Sequence, residues 1–342
     1  MESVAKLREL ILWSHSRHVS YSIEDAPGEG IGVGVVDTLY REDFSANVVG
    51  RTCCLRELQG NPPDQTAEHG AWVLDIASYY APDSSFYLYF AGKEPEAMNG
   101  DTPHIPQMAF ARAVTAAIDD GVDILNVSAG KSKPNCSLGH CVYCSEVRRA
   151  ERNGITVVAA AGNHPEDVVH CPGNSPTAIC VGGVEMECTF NMPRSPHNPT
   201  NNPPQAYWTK LWSGQSYPES AAQGTYCSTR DCWSDGGGCE TNLQVTSWDR
   251  NPNSSGDKPD VLAPIHYAGL AGDGSPFIWA ASSFGAPVIS GCLSGCLSML
   301  ETGVSPPDAQ SAIREGADEL DGFPAGVLDA EKTLEILRLP RR

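Results

Sequence analysis

The stretch from Phe277 to Leu300, FIWAASSFGAPVISGCLSGCLSML, constrains the fold more than any other. It begins as a short apolar run, passes through a knot of small residues and becomes a helical pattern through Val288, Cys292, Gly295, Cys296 and Met299. No charged residue occurs before Glu301. A helix so free of charge belongs in the middle of a domain, because none of its faces is suited to water. Pro287 falls in the first turn, where the N–H that proline lacks has no helical partner anyway. Ser282 and Ser283 stand at the N-terminal mouth, where unpaired backbone N–H groups and the positive end of the helix dipole stabilise negative charge. Serines there also read as simple helix caps, so their role depends on partners elsewhere in the chain.

Elsewhere the apolar pattern alternates between strands and helices. Ile31 to Thr38, IGVGVVDT, is the continuous apolar run of a strand buried on both faces. It ends in Asp37, at the strand end where open α/β sheets build their sites, although an Asp there also caps a βα turn. Glu68 to Tyr80 is helical by the spacing of Val73, Ile76, Ala77 and Tyr80, with His69 in its first turn. A histidine in that place also serves as a surface or capping residue. Further strands are expected at Ser85–Phe90, Val122–Ser128, Ile155–Ala161, Ile179–Val184 and within Pro259–Pro264. Helices are expected over Gln107–Asp120, in the segment ending at Asn153–Gly154, and around Pro307–Gly316 and Asp329–Leu337. Such alternation predicts an α/β fold with a mostly parallel sheet and helices on both faces.

The organisation that follows is an N-terminal helix and lead-in over residues 1–30, then one domain over 31–342 with insertions at about 131–144 and 185–258. The longer insertion is rich in Pro, Asn, Ser and Gly, yet contains Trp208, Trp212, Trp233 and Trp248. Disordered segments are poor in aromatics, so this one is expected to be ordered.

The formal net charge is −19, and it reflects scarce lysine, seven against sixteen arginines, more than extra carboxylates. An acidic surface repels nucleic acid and anionic lipid, and no apolar run approaches the roughly 20 residues of a membrane span. Neither nucleic acid nor a membrane is therefore expected as a partner. Met1 to Trp13 reads as an amphipathic helix with acids, not as an export signal. The expectation is a cytoplasmic chain, with secretion open only if a leading segment has been removed.

There are 13 cysteines, an odd number, which in a chain without an export signal favours free thiols or metal ligands over a complete disulfide set. Cys136-x4-Cys141-x2-Cys144 has a spacing that suits a metal, with His140 or Cys171 as a further ligand. The simpler reading is one disulfide pair and a spare thiol, and no metal is assigned to the chain.

Asp37, His69 and Ser283 each have an ordinary reading alone. Together they supply a nucleophile, an imidazole to take its proton and a carboxylate to fix the imidazole's tautomer. Seven blocks in chain order then resemble the motifs of the subtilisin-like serine proteases, the subtilase family. They are Val35–Thr38, His69-Gly70 followed by a small residue, Gly121–Ser128, Ala159–Asn163, Pro259–Pro264, Ser282–Pro287 and Gly326–Ala330. The resemblance covers roughly residues 30–337 apart from the two insertions. The sequence departs from the pattern at Leu39, at Ala71-Trp72 and at Ala281, where the family usually has glycine. None of these removes a triad member or the oxyanion asparagine.

The resemblance implies a serine endopeptidase that works through an acyl-enzyme. It places the nucleophile on Ser283 and not Ser282, the general base on His69, the orienting carboxylate on Asp37 and an oxyanion donor on Asn163. An extended protein or peptide substrate would lie against Ser128-Ala129-Gly130 as an added strand. Ala161, Gly162 and His170 would line the pocket for the residue before the scissile bond, the P1 side chain. Two imidazoles, His164 and His170, would make that pocket unfavourable for Lys or Arg; the plainer arrangement is a small apolar pocket with both rings in solvent. No cofactor is required. Only 36 residues precede Asp37, too few for a folded inhibitory prodomain: either the prodomain is missing from this sequence, or the enzyme is under another control, with a regulatory protein partner or the insertion holding it in check. The alternative is a catalytically silent peptide-binding module of the same shape.

Overall fold

The computed structural model describes residues 2–24, 27–38, 46–55, 69–92, 105–131, 136, 141–162, 169–186, 243–246, 258–270, 276–319 and 325–340. The strands are β1 (Gly32–Asp37), β2 (Val48–Cys53), β3 (Ser85–Phe90), β4 (Ile124–Val127), β5 (Thr156–Ala160), β6 (Ile179–Met186), β7 (Leu243–Thr246), β8 (Val261–Pro264), β9 (His266–Leu270) and β10 (Pro276–Ala280). The helices are α1 (Glu2–His18), α2 (His69–Tyr80), α3 (Gln107–Asp120), α4 (Val142–Arg152), α5 (Ser282–Ser298), α6 (Pro306–Gly316) and α7 (Ala330–Arg338).

The main sheet runs β2-β3-β1-β4-β5-β6-β7, with β8 also pairing to β6. Every pairing is parallel except that of β7 with β6. Parallel strands must be linked by crossovers that cover both faces, which is why their sequences are apolar throughout. β1 shows this directly: Val33 and Val35 enter the core layer that holds α2 and α5, while Val36 enters the layer that holds α3 and α4. Val73, Ile76, Ala77 and Tyr80, the residues whose spacing predicted α2, are all buried. α3 stops where glycine permits a left-handed backbone, at Gly121 with φ 68°.

α5 is the centre of the larger layer, and every residue from Ser282 to Cys296 is buried. Full burial of one aliphatic side chain such as Ile289 or Leu293 contributes about 1.5–3 kcal/mol. The small residues on this helix have a packing reason. A methyl group on Gly291 would lie 2.6 Å from the Ala77 carbonyl oxygen and 2.8 Å from Tyr80 Cβ, so glycine there lets α5 close on α2.

Four strands, β2, β7, β9 and β10, fall outside those expected from the sequence. β2 is an edge strand with alternating partly exposed residues, Arg51 among them, and it lacks the apolar run of a buried strand. The apolar run before α5 forms β10, which pairs antiparallel with β9 in a separate two-stranded sheet. β7 falls inside the 185–258 insertion and extends the main sheet by pairing Leu243–Thr246 with Gly183–Met186. The four tryptophans expected to order that insertion lie outside the described residues.

A buried Lys258–Asp260 pair, joined from the surface by Arg314, ties α6 to the sheet. Asp260, just before β8, accepts from Lys258 Nζ at 2.5 Å and pairs with Arg314 Nε of α6 at 2.6 Å. The Cys180 N–H donates to the same carboxylate at 2.6 Å. Charges taken out of water are tolerated only when paired in this way.

α1 carries a buried histidine. His15 has no hydrogen-bond partner for either ring nitrogen among the described residues, and its ring lies 6.2 Å from that of His266. Burial, reinforced by His18, lowers the His15 pKa to about 3, and burial lowers that of His18 to about 4. A lowered histidine pKa means that the unfolded chain takes up the proton first, near 6.5. Stability is then full above that pH and is lost as pH falls from about 6.5 toward 3. At pH 5 the His15 term is expected to cost about 2 kcal/mol relative to pH 7. Urea unfolding at the two pH values should show that loss, and His15→Leu should remove the His15 share while leaving that of His18.

Candidate active site

Because β1, β4 and β5 are adjacent and parallel, their carboxyl ends share one edge. Register pairs Val36 with Val127 and Val127 with Ala159. That edge therefore gathers Asp37, Ser128 and the Ala161-Gly162 turn, which the sequence separates widely.

Asp37 is fully buried. Its Oδ1 accepts from His69 Nδ1 at 2.8 Å and from the Thr38 N–H at 2.6 Å. Oδ2 is buried with no partner among the described residues. An ionised carboxylate can only accept, so Nδ1 carries the imidazole proton and Nε2 becomes the basic nitrogen. His69 is the first residue of α2, and its ring packs against Phe284 with centroids 5.7 Å apart. Trp72 and Tyr267 lie 6.1 and 5.9 Å from the same phenylalanine. This aromatic group holds the imidazole against the N-terminus of α5, and the sequence reading had missed it; its signal was an aromatic residue directly after the Ser-Ser pair.

The two serines at that N-terminus differ. Ser282 is wholly buried, and its Oγ accepts the Gly162 N–H at 3.2 Å. Ser283 retains 7% exposure and is followed by Phe284, whose ring packs on that of His69. Asn163, the expected oxyanion donor, lies outside the described residues, as does His164. The residue before Asn163 is nonetheless fastened to α5 through Ser282.

The segment expected to hold substrate is built from the core outward. Ser128 Oγ accepts from Asn126 Nδ2 at 2.9 Å, and Asn126 Oδ1 accepts from Ser290 Oγ of α5 at 3.0 Å. Beyond it, Lys131 and Cys171 form an antiparallel bridge with N–H···O distances of 2.9 and 3.1 Å. His170 donates its N–H to Ala161 at 2.8 Å. A methyl group on Gly162, whose φ is 109°, would lie 2.9 Å from the His170 ring; one on Gly130 would lie 3.0 Å from His170 Cβ. Ser128, Ala129, Gly130, Ala161, Gly162 and His170 thus come together as one wall. His170, at 7% exposure, is packed into that wall, which corrects the arrangement with its ring in solvent.

The cysteines also differ from the simpler sequence reading. Cys136, Cys141, Cys144 and Cys171 are all free thiols, so no disulfide pair forms among them. Their sulfurs lie within 4.8 Å of one another. His140 lies outside the described residues.

Comparison with known proteins places this architecture. The model of the subtilase family matches residues 54–331. Subtilisin-like protease 2 of Arthroderma otae is 28% identical over 196 residues, which is 51% of this chain and 41% of that protein. Its counterpart in Arthroderma benhamiae is 27% identical over the same extent. The chain therefore spans well under half the length of these curated relatives. Among solved structures, fervidolysin from Fervidobacterium pennivorans superposes with a TM-score of 0.62 at 16% identity, over 94% of this chain and 45% of that one. The prenylagaramide maturation protease PagA does so with 0.56 at 18%, over 95% and 96%. At such identities the structures speak to the fold, and they make it subtilisin-like. Since the family model covers most of the chain, the chain belongs to the subtilase family.

Proposed function

We propose that the chain is a serine endopeptidase that hydrolyses peptide bonds through an acyl-enzyme. The observation that carries the proposal is the buried Asp37 carboxylate 2.8 Å from His69 Nδ1, beside the N-terminus of α5. In this reading Ser283 Oγ attacks the scissile carbonyl carbon while His69 Nε2 takes its proton. Asp37 stabilises the imidazolium that forms. The Ser283 N–H and the Asn163 side chain donate to the tetrahedral oxyanion, and the helix dipole adds to that field. His69 then gives its proton to the leaving amine, and water repeats the sequence to release the acid.

The substrate is an extended stretch of a protein or peptide that pairs with Ser128-Ala129-Gly130 as an added strand. The P1 side chain enters between that strand and Ala161-Gly162, with His170 behind the glycine. An imidazole in that wall offers no charge that attracts a cation. A mixed peptide library should therefore give few cuts after Lys or Arg; a majority of such cuts overturns the pocket assignment.

A phosphonate probe of serine hydrolases tests the reaction class. Labelling of the wild type on Ser283 that disappears in Ser283→Ala supports the proposal. Absence of labelling, or labelling that persists in the variant, favours a silent peptide-binding module instead.

A further inference from the structure

Four cysteines outside the catalytic constellation have no part in the reaction above, yet their arrangement is specific. Cys144 Sγ lies 3.7 Å from Cys136 Sγ, 3.5 Å from Cys141 Sγ and 3.7 Å from Cys171 Sγ. A disulfide would bring one pair to about 2.05 Å and leave the others apart. Here no pair stands out. Four sulfurs at the vertices of a tetrahedron around zinc, with Zn–S of about 2.3 Å, are separated by about 3.8 Å. The three distances to Cys144 match that edge length, and the remaining pairs fall within 4.8 Å.

We infer that Cys136, Cys141, Cys144 and Cys171 form a tetrathiolate site for one zinc ion. Cys136, Cys144 and Cys171 are buried and Cys141 is half-buried, so the set is closed in the manner of a structural site. The Cys141-x2-Cys144 pair sits at the start of α4. Cys141 is the N-cap of that helix, so the positive end of its dipole faces an anionic centre. Asn174 Nδ2 donates to the Cys136 carbonyl at 2.9 Å and so anchors the backbone of this ligand. Binding converts four thiols and Zn²⁺ into a zinc tetrathiolate and releases four protons, with no change of oxidation state.

The position gives the metal a task. Cys171 is bridged to Lys131 and follows His170, which packs on Gly130 and Gly162. Zinc would fasten the insertion at 131–144, the start of α4 and the segment after β5 to one another, just behind the proposed substrate wall. That consequence rests on the substrate reading above, whereas the metal site does not.

Metal analysis of the full chain, made as Ser283→Ala to prevent self-cleavage and purified under reducing conditions, separates the two. One zinc per chain is expected. Cys144→Ser should lose it, and Cys53→Ser, a cysteine on β2, should keep it. Replacement of zinc by cobalt in the otherwise unaltered chain should give the intense visible bands of tetrahedral cobalt thiolate, a readout that stands if Cys144→Ser fails to fold. Zinc far below one per chain, stoichiometric iron, a disulfide among the four, or cobalt without those bands overturns the inference. In the unmutated protein, chelation should raise KM for extended peptides more than it lowers kcat. A chelator that strips zinc without moving KM would sink the link to the substrate wall alone.

Discussion

Ser283→Ala lowers the turnover of an unstructured protein substrate by about 10⁶-fold, the scale of removing the nucleophile from a serine triad. The fold should survive the change, since alanine is the best helix former and the site is already almost closed to solvent. Melting temperature close to wild type, with kcat lost, is the result expected. Ser282→Ala provides the contrast. Its hydroxyl accepts the Gly162 N–H in the interior, so removing it leaves a buried donor unpaired at a cost of about 1–3 kcal/mol. That variant should lose stability while still reacting with the phosphonate probe. If the two variants exchange these phenotypes, the nucleophile is Ser282 and the alignment of the Ser282–Pro287 block is shifted by one residue.

Asp37→Ala should lower kcat by about 10⁴-fold, because His69 Nδ1 loses the acceptor that sets its tautomer and the charge that stabilises its protonated form. The geometry of the carboxylate then makes a second expectation specific to this chain. A single oxygen, Oδ1, accepts from both the Thr38 N–H and His69 Nδ1. The other oxygen has no partner among the described residues. In Asp37→Asn the amide oxygen can keep both bonds by taking the Oδ1 place, with the NH₂ group on the side where no described residue bonds to the carboxylate. The imidazole tautomer would be preserved and only the charge lost. Asp37→Asn should therefore retain measurably more activity than Asp37→Ala at unchanged KM. Equal losses in the two variants would mean that the amide turns its NH₂ toward His69 and that Thr38 does not hold Oδ1 in place.

Much of this molecule is legible along the chain because its sheet is parallel and doubly covered. A strand buried on both faces must be apolar at every position, as in Gly32–Asp37 and Thr156–Ala160, and such runs are visible without a partner. The helices are visible through their periodicity and stops; α3 ends at the glycine that the sequence marks. The residues proposed for the triad could be picked out because each sits at a strand end or helix start, where local chemistry singles out an Asp, a His or a Ser. β2 was illegible for the opposite reason: an edge strand need bury only part of itself, so its sequence carries little pattern.

What sequence by itself determined, then, is whatever burial imposes locally: the α/β class, the central helix and the blocks that resemble the family's motifs. Tertiary structure decided whatever depends on segments meeting from afar. Packing on Gly162 and Gly130 buries His170 in the wall, although nothing near His170 in sequence requires it. The Cys171 sulfur joins Cys136, Cys141 and Cys144 only because the Lys131 bridge brings its strand alongside the insertion. Periodicity records which residues leave water, but it does not record which distant residue they meet. Sheet order and crossover packing set those meetings, and they exist only once the chain is folded.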